Sequence, residues 1–318
     1  ENMLWRTSAR SRSASTRQPF VKDLKMMKNS NMILLDVGGT FVKSSLGIAG
    51  KGAVEGTFAS TPMSSDGSAE EIAASFRAAV AGQMERAAAN GAHIETVSVV
   101  MPGPFDYKNG GVFLMKHKFA AVYGKTFREI LGDVITSETR LVFAHDVNGA
   151  LMGALMLRPE LKKGNVAMST LGTGLGFAYA KDGVIQESPM GSPAVDLWDA
   201  PYNGSILEDF VSRRAILRFF AEQGGVLAEG EDVKEIADKA REGDEKALEA
   251  FRCAGRHYAA GAKDVVERLQ IGHLLFAGQI AKSFDLMEKE IVEGLGGNVE
   301  VSVVDDIQGT VLVGIASL

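Results

Sequence analysis

The chain has 318 residues, 46% of them hydrophobic, a formal net charge of −6 and a single cysteine, Cys253. At roughly 100–200 residues per domain this length predicts two domains, with apolar content enough for a real core. The mildly acidic balance gives no electrostatic footprint for nucleic acid, no apolar run nears the roughly 20 residues that cross a bilayer, and one cysteine excludes an intramolecular disulfide and favours a reducing, cytoplasmic compartment.

Residues 1–28 carry Arg6, Arg10, Arg12 and Arg17 among Ser8, Ser11, Ser13 and Ser15. That composition suits a transit peptide, but no arginine face forms. A disordered or non-native extension upstream of a start at Met26, Met27 or Met32 is the preferred reading. Met32–Leu35 then reads as a buried strand running into the turn Asp36-Val37-Gly38-Gly39-Thr40, with Phe41–Ile48 as its hairpin partner. Ser68-Ala69-Glu70-Glu71 forms a capping box, and Ile72, Phe76, Val80 and Met84 mark the core face of the helix it starts. Val97–Met101 is a strand ended by Pro102-Gly103-Pro104, and Leu141–Ala144 is a strand leading to His145-Asp146. Ala150–Leu157 has helical character. Val166–Thr170 and Phe177–Ala180 are strands around Leu171-Gly172-Thr173-Gly174-Leu175-Gly176. Residues 206–221 and 232–269 read as mostly helical, Leu274–Ala277 and Val299–Val304 as strands, and Thr310–Leu318 as a terminal helix. The strand–glycine turn–strand units at 32–48 and 166–180 suggest an internal duplication.

Glycines lacking side chains let backbone N–H groups approach a polyphosphate, and they permit positive φ. Asp36 suits Mg²⁺ held through water, because that ion keeps several waters and takes one or two carboxylates. Each turn alone also reads as an ordinary hairpin. Neither is a Walker A loop or a dinucleotide fingerprint, since no Gly-Lys-Ser/Thr follows and a strand rather than a helix comes next. Asp146, at a strand end before a helix, is open to two readings: a helix N-cap or a general base.

Together these residues resemble the ROK (repressor–open reading frame–kinase) family of sugar kinases and regulators, over about residues 30–318. Asp36–Thr40 is similar to its first phosphate motif and Leu171–Gly176 to its second. His145-Asp146-Val147-Asn148 is similar to the Asn-Asp-x-Asn segment of the catalytic aspartate, and Pro102-Gly103-Pro104 to the sugar-side loop. Leu275–Ile280 resembles the adenosine motif, with one glycine, Gly278, where two are usual. Gly204–Glu208 resembles the Gly-Cys-x-Glu segment whose glutamate contacts sugar hydroxyls.

The resemblance implies an α/β, two-domain actin-like ATPase (ribonuclease H-like) fold with nucleotide and sugar in the cleft. A sugar-side domain would span 29–145 and a nucleotide-side domain 146–318, with the last helix, about 305–318, packing back on the first. It implies ATP and Mg²⁺, a homodimer, and neither nucleic-acid nor membrane partners. Asp146 would be the base. Asp36, Gly38, Gly39, Thr40, Gly172, Thr173, Gly174 and Gly278 would bind nucleotide, and Gly103, His145, Glu187 and Glu208 the sugar.

Departures from the pattern bear on the substrate. No cysteine or histidine lies between residues 171 and 208, so the family's structural zinc site cannot form there. Groups around Trp198 are expected to take over zinc's structural role. Glu187-Ser188-Pro189-Met190 stands where Glu-x-Gly-His is usual, and His145 replaces an asparagine. These argue against a standard glucokinase and leave glucose, fructose, mannose, N-acetylhexosamines and β-glucosides open. His117 reads as part of an exposed basic loop, Cys253 as a buried helical residue, and the 232–246 charge run as a solvated helix face. The rival expectation is a non-catalytic sugar sensor. With about 30 residues before the first strand, a winged-helix domain is not expected.

Overall fold

The computed structural model describes residues 31–318, Asn29, and the backbone of Phe20–Val21. The expectation for the rest of the 1–28 segment lies outside the described residues. Phe20–Val21 pairs in parallel with Ala53–Val54, so the first sheet takes in two residues of that segment.

Strands β1 (Met32–Val37) and β2 (Phe41–Ile48) form the expected hairpin, with Val37 opposite Val42. β3 (Gly52–Val54) and β4 (Ala59–Pro62) extend it on β2. β5 (Thr96–Met101) runs parallel to β1, and β6 (Arg140–His145) parallel to β5. Helix α1 (Ala69–Ala89) starts at the predicted capping box: Ser68 Oγ accepts from the Glu71 N–H, and Glu71 Oε2 accepts from the Ser68 N–H at 2.7 Å. It buries Ile72, Phe76 and Val80.

The second sheet repeats the scheme. β7 (Asn165–Leu171) and β8 (Leu175–Lys181) form an antiparallel hairpin, Leu171 opposite Leu175, with β9 (Val184–Ile185) on its outer edge. β10 (His273–Ala277) and β11 (Glu300–Val303) add in parallel on the other side.

Helix α2 (Asp146–Leu157) begins four residues earlier than the apolar pattern indicated. The stretch 206–221 is interrupted at Ser212 before α3 (Arg213–Glu222). The stretch 232–269 is two helices, α4 (Val233–Arg241) and α5 (Glu245–Arg268), separated at Gly243 with φ 98°. Periodicity alone did not show these breaks, because both flanking helices bury one stripe on the same core around Phe177, Phe251 and Phe276. The terminal helix α6 (Ile307–Ile315) starts at Asp306, whose Oδ1 accepts from the Gly309 N–H at 2.8 Å. No helix among the described residues is long and apolar enough to cross a membrane.

Helices α2 and α6 lie against each other between the sheets. One core joins Leu34 and Val100 of the first sheet to Met168, Ala178 and Leu275 of the second through Ala150, Leu151, Ala154, Leu312 and Ile315. Their backbones touch. A Cβ on Gly153 would lie 1.8 Å from the Thr310 carbonyl oxygen, and one on Gly314 would lie 1.9 Å from that of Gly149. Only glycine fits these crossings.

Candidate active site

Parallel pairing decides what meets. β1, β5 and β6 end on the same side, so Asp36, the Met101–Gly103 loop and His145-Asp146 are neighbours. In open α/β sheets such carboxyl ends are where ligands bind. In the second sheet Thr170 pairs with Ala277, which sets the Gly172–Gly174 turn beside Gly278. Gly278 has φ 100°, and a Cβ there would lie 2.3 Å from the Leu171 carbonyl oxygen. The single glycine of the adenosine-like motif is therefore required by backbone packing against the second turn.

The turn glycines act through space rather than conformation. Gly38, Gly39, Gly172 and Gly174 are absent from the left-handed φ region. Gly172 has nothing within 4 Å of a Cβ position, and Gly39 faces Ser65 Oγ at 3.3 Å and the Lys118 ammonium at 3.8 Å. The expectation that positive φ shaped these turns is corrected: the missing side chains leave room for a ligand to reach the backbone.

Asp146 is the first residue of α2, and His145 holds the cap position. Asp146 Oδ1 accepts from its neighbour's amide, Val147 N, at 2.7 Å and lies 2.8 Å from His145 Nδ1. A 3.4 Å approach of the Val147 N–H to the same Nδ1 is secondary, because a nitrogen donating at 2.8 Å cannot also accept. Burial works against charge on Asp146. The His145 imidazolium, the two hydrogen bonds and the Lys118 ammonium outweigh it and hold the carboxyl below the usual aspartate range. Burial likewise opposes charge on His145, but the Asp146 and Asp196 carboxylates hold the imidazole above its ordinary value. About half of the Asp146 side chain still faces solvent, 47%.

Asp36 behaves oppositely. Burial pushes its carboxyl up, Asp146 adds to that, and Lys43, 3.4 Å away, opposes it. A carboxylate that a second carboxylate nearby pushes up is stabilised by a divalent cation at its side. Among the described residues no three acidic, histidine or cysteine groups converge to cage an ion. That donor set fits Mg²⁺, which uses few protein carboxylates and fills its remaining positions with water and phosphate.

Gly103 leaves open the space over two rings: a Cβ there would lie 3.2 Å from Tyr107 Oη and 3.7 Å from His145 Nε2. The Tyr107 hydroxyl donates to the Met101 carbonyl at 3.0 Å. Its phenol is pushed well up by burial, with Asp146 and Asp196 adding. Glu187 reaches the same wall, with its Oε2 2.5 Å from Lys108 Nζ. Asn148 Nδ2 donates to the Gly191 carbonyl at 3.2 Å, with Glu187 Oε1 at 3.4 Å. Asp196, exposed at the rim and with its carboxyl raised chiefly by desolvation, stands on this side.

Glu208 lies against the second glycine turn. Its Oε2 accepts from the Leu175 N–H at 3.0 Å, would meet a Cβ on Gly174 at 2.6 Å, and its Oε1 lies 3.3 Å from Arg214. It buttresses the second glycine turn. Around Trp198 the apolar groups, rather than the indole itself, are buried. That indole is exposed, and the 187–208 segment is anchored by buried Leu197 and Leu207 and by a Tyr202 hydroxyl 2.9 Å from His257 Nδ1. His117 is exposed as expected. Tyr107, Lys108, Lys118 and Asp196 were missed. Lys118 lay within the basic loop already singled out, whereas no sequence signal marked Asp196.

A model of the ROK family matches residues 33–309. No curated protein matches the chain. Among solved structures, a ROK family glucokinase from Streptomyces griseus in complex with glucose and AMPPNP is 20% identical. It matches over 90% of this chain and 97% of that one, with a TM-score of 0.69. A ROK hexokinase from Thermus thermophilus is 20% identical over 90% and 96% of the two chains, TM-score 0.66. A ROK family transcriptional regulator, a homologue of the E. coli Mlc protein, is 17% identical over 91% of this chain and 78% of that one, TM-score 0.71. These likenesses establish the two-sheet, actin-like architecture.

Proposed function

The chain belongs to the ROK family, and on that premise we propose that it is an ATP- and Mg²⁺-dependent kinase acting on a hydroxyl, a primary one, of a hexose-type sugar. The observation that carries the reading is the pair Asp36 and Asp146. They stand at the ends of parallel strands on the same side of one sheet, close enough to repel, with the Asp146 carboxyl held below its ordinary range and half exposed.

Phosphoryl transfer asks mainly for positioning and charge neutralisation. In this reading the Gly38–Thr40 and Gly172–Gly174 turns offer backbone donors to the phosphates, and Gly278 borders the adenosine. Asp36 would hold Mg²⁺ through water, and the ion would offset phosphate charge when bound. Asp146 accepts the hydroxyl proton as the sugar oxygen attacks. Its Val147 and His145 hydrogen bonds fix the carboxylate's orientation, leaving its second oxygen for substrate. Glu187, His145 and the open face at Gly103 shape the sugar pocket. The first sheet and its loops form the sugar side, residues 146–318 the nucleotide side, and a homodimer is the assembly this reading carries.

The rival is a non-catalytic sugar sensor, favoured by the regulator that superposes at a TM-score of 0.71. A binder needs no base and no Mg²⁺ ligand, yet both carboxylates are present. The test is ADP release from MgATP across hexoses, amino sugars and β-glucosides, with Asp146→Asn in parallel. Sugar-dependent turnover that drops by orders of magnitude in the variant is expected. Sugars that shift the melting temperature of a wild-type protein with no turnover would leave the sensor standing instead.

A further inference from the structure

We propose that Lys118 is a catalytic residue of this reaction, its ammonium group contacting the phosphoryl group in flight between nucleotide and sugar. The inference rests on the kinase reading above. Its ground is position. Lys118 Nζ lies 3.8 Å from where a Cβ on Gly39 would be, in the first glycine turn. On the other side it is near enough to Asp146 to favour that carboxylate's charge. A group between the phosphate turn and the base stands where the phosphoryl must pass.

The backbone aims it there. Phe119, the next residue, takes a left-handed φ of 54° and buries its ring against Phe76 and Phe113. Its N–H donates to the Ser65 carbonyl at 2.7 Å, and the Ser65 N–H donates to the Gly39 carbonyl at 3.2 Å. A non-glycine residue at positive φ is held only when its surroundings over-determine it. The lysine is therefore tied through two hydrogen bonds to the turn it faces.

Charge accounting singles it out. Lys43 is engaged by Asp36, His145 by Asp146, Lys108 by Glu187, and Lys116 lies over the Tyr123 ring. Among the described residues the Lys118 ammonium has no such ion pair. A polyphosphate entering a cleft already lined by Asp36, Asp146 and Asp196 meets one uncommitted cation at the reacting end.

The chemistry balances without a proton change on Lys118. The sugar oxygen bonds to phosphorus as the bridging oxygen–phosphorus bond breaks, and the bridging electron pair leaves with ADP. The hydroxyl proton passes to Asp146. Lys118 donates hydrogen bonds to non-bridging phosphoryl oxygens throughout. Removing one preorganised donor of this kind costs about 10²–10³-fold in kcat.

The experiment compares wild type, Lys118→Met, Lys118→Arg and Lys116→Met in steady-state kinetics and in binding of MgADP, fluoroaluminate and sugar, read as a melting-temperature shift. The expected result for Lys118→Met is kcat down by about 10²–10³-fold with sugar KM changed only a few-fold. Fluoroaluminate should add stabilisation to wild type but not to Lys118→Met, while MgADP plus sugar stabilises both. Lys118→Arg should recover part of kcat, and Lys116→Met should match wild type. An unimpaired kcat in Lys118→Met, or a raised sugar KM at constant kcat, would overturn the assignment while leaving the kinase intact. No sugar-dependent turnover by wild type would bring down both.

Discussion

Gly314→Ala tests whether the α2–α6 backbone contact couples fold to chemistry. The added methyl would sit 1.9 Å from the Gly149 carbonyl oxygen and 2.9 Å from Gly153 N. Both obstacles are main chain of α2, so no rotamer change relieves them and the helices must separate. Overpacking costs about 1–3 kcal/mol, and more where nothing can yield. The helix propensity of alanine returns up to about 1 kcal/mol. With main chain on both sides the upper end of that cost applies, so a net loss of about 2 kcal/mol follows, or roughly 4–8 °C in melting temperature at 2–4 °C per kcal/mol. Because α2 begins with Asp146, separation also moves the carboxylate, and a 1 Å misplacement costs about 100-fold in rate. The control is Gly82→Ala in α1, where nothing lies within 4 Å and the propensity gain stands alone. Thermal and urea melts, with turnover on the identified sugar, read the effect. If Gly314→Ala melts with or above wild type, as Gly82→Ala should, the close contact is not real and the coupling argument fails.

His145→Gln should move the acid limb of kcat/KM to higher pH, since burial would then dominate Asp146; unchanged pH profiles would contradict this. The pair's contribution to stability should be fullest between the ordinary values of 3.8 for Asp146 and 6.5 for His145. It is lost as pH falls through the lowered aspartate value or rises through the raised histidine value, and melts across pH compare the two proteins directly. Glu208→Gln should raise the ATP KM about tenfold with little change for sugar, because a charged hydrogen bond to the Leu175 amide is worth roughly 1.5–3 kcal/mol. The reverse pattern would assign Glu208 to the sugar, as the resemblance implies. His257→Phe should cost about 1 kcal/mol by removing the Tyr202 hydrogen bond, and a strong chelator should leave the wild-type melting temperature unmoved in the absence of nucleotide.

The first site elements were legible because they are local. The run Met32–Leu35, the turn Asp36–Thr40 and the capping box at Ser68 each specify themselves within a few residues. The parallel strands did too, as short apolar runs ended by chemistry-bearing residues, so Asp36 and Asp146 could be named before their sheet was seen. The helical second half was less legible. α4 and α5 bury continuous apolar stripes on one core, and only Gly243 separates them.

Glu208 and Lys118 show why side-chain roles resisted the same reading. A motif gives the order of residues, not the face on which each emerges. Glu208 turns toward Leu175 because the hairpin Pro201–Ile206 ahead of it is fixed through Tyr202 on α5, a contact with a residue 55 positions away. Lys118 is a surface cation by every local criterion. What turns it toward Gly39 is a left-handed residue after it and a carbonyl at Ser65, and neither leaves a mark in the sequence. Where a departure from a family's pattern falls on such non-local contacts, a binding site can change while locally specified motifs stay the same. In the proposed reading the zinc-less segment, through Glu187, and His145 border the sugar, whereas Asp36, Asp146 and both glycine turns retain the pattern the resemblance rests on.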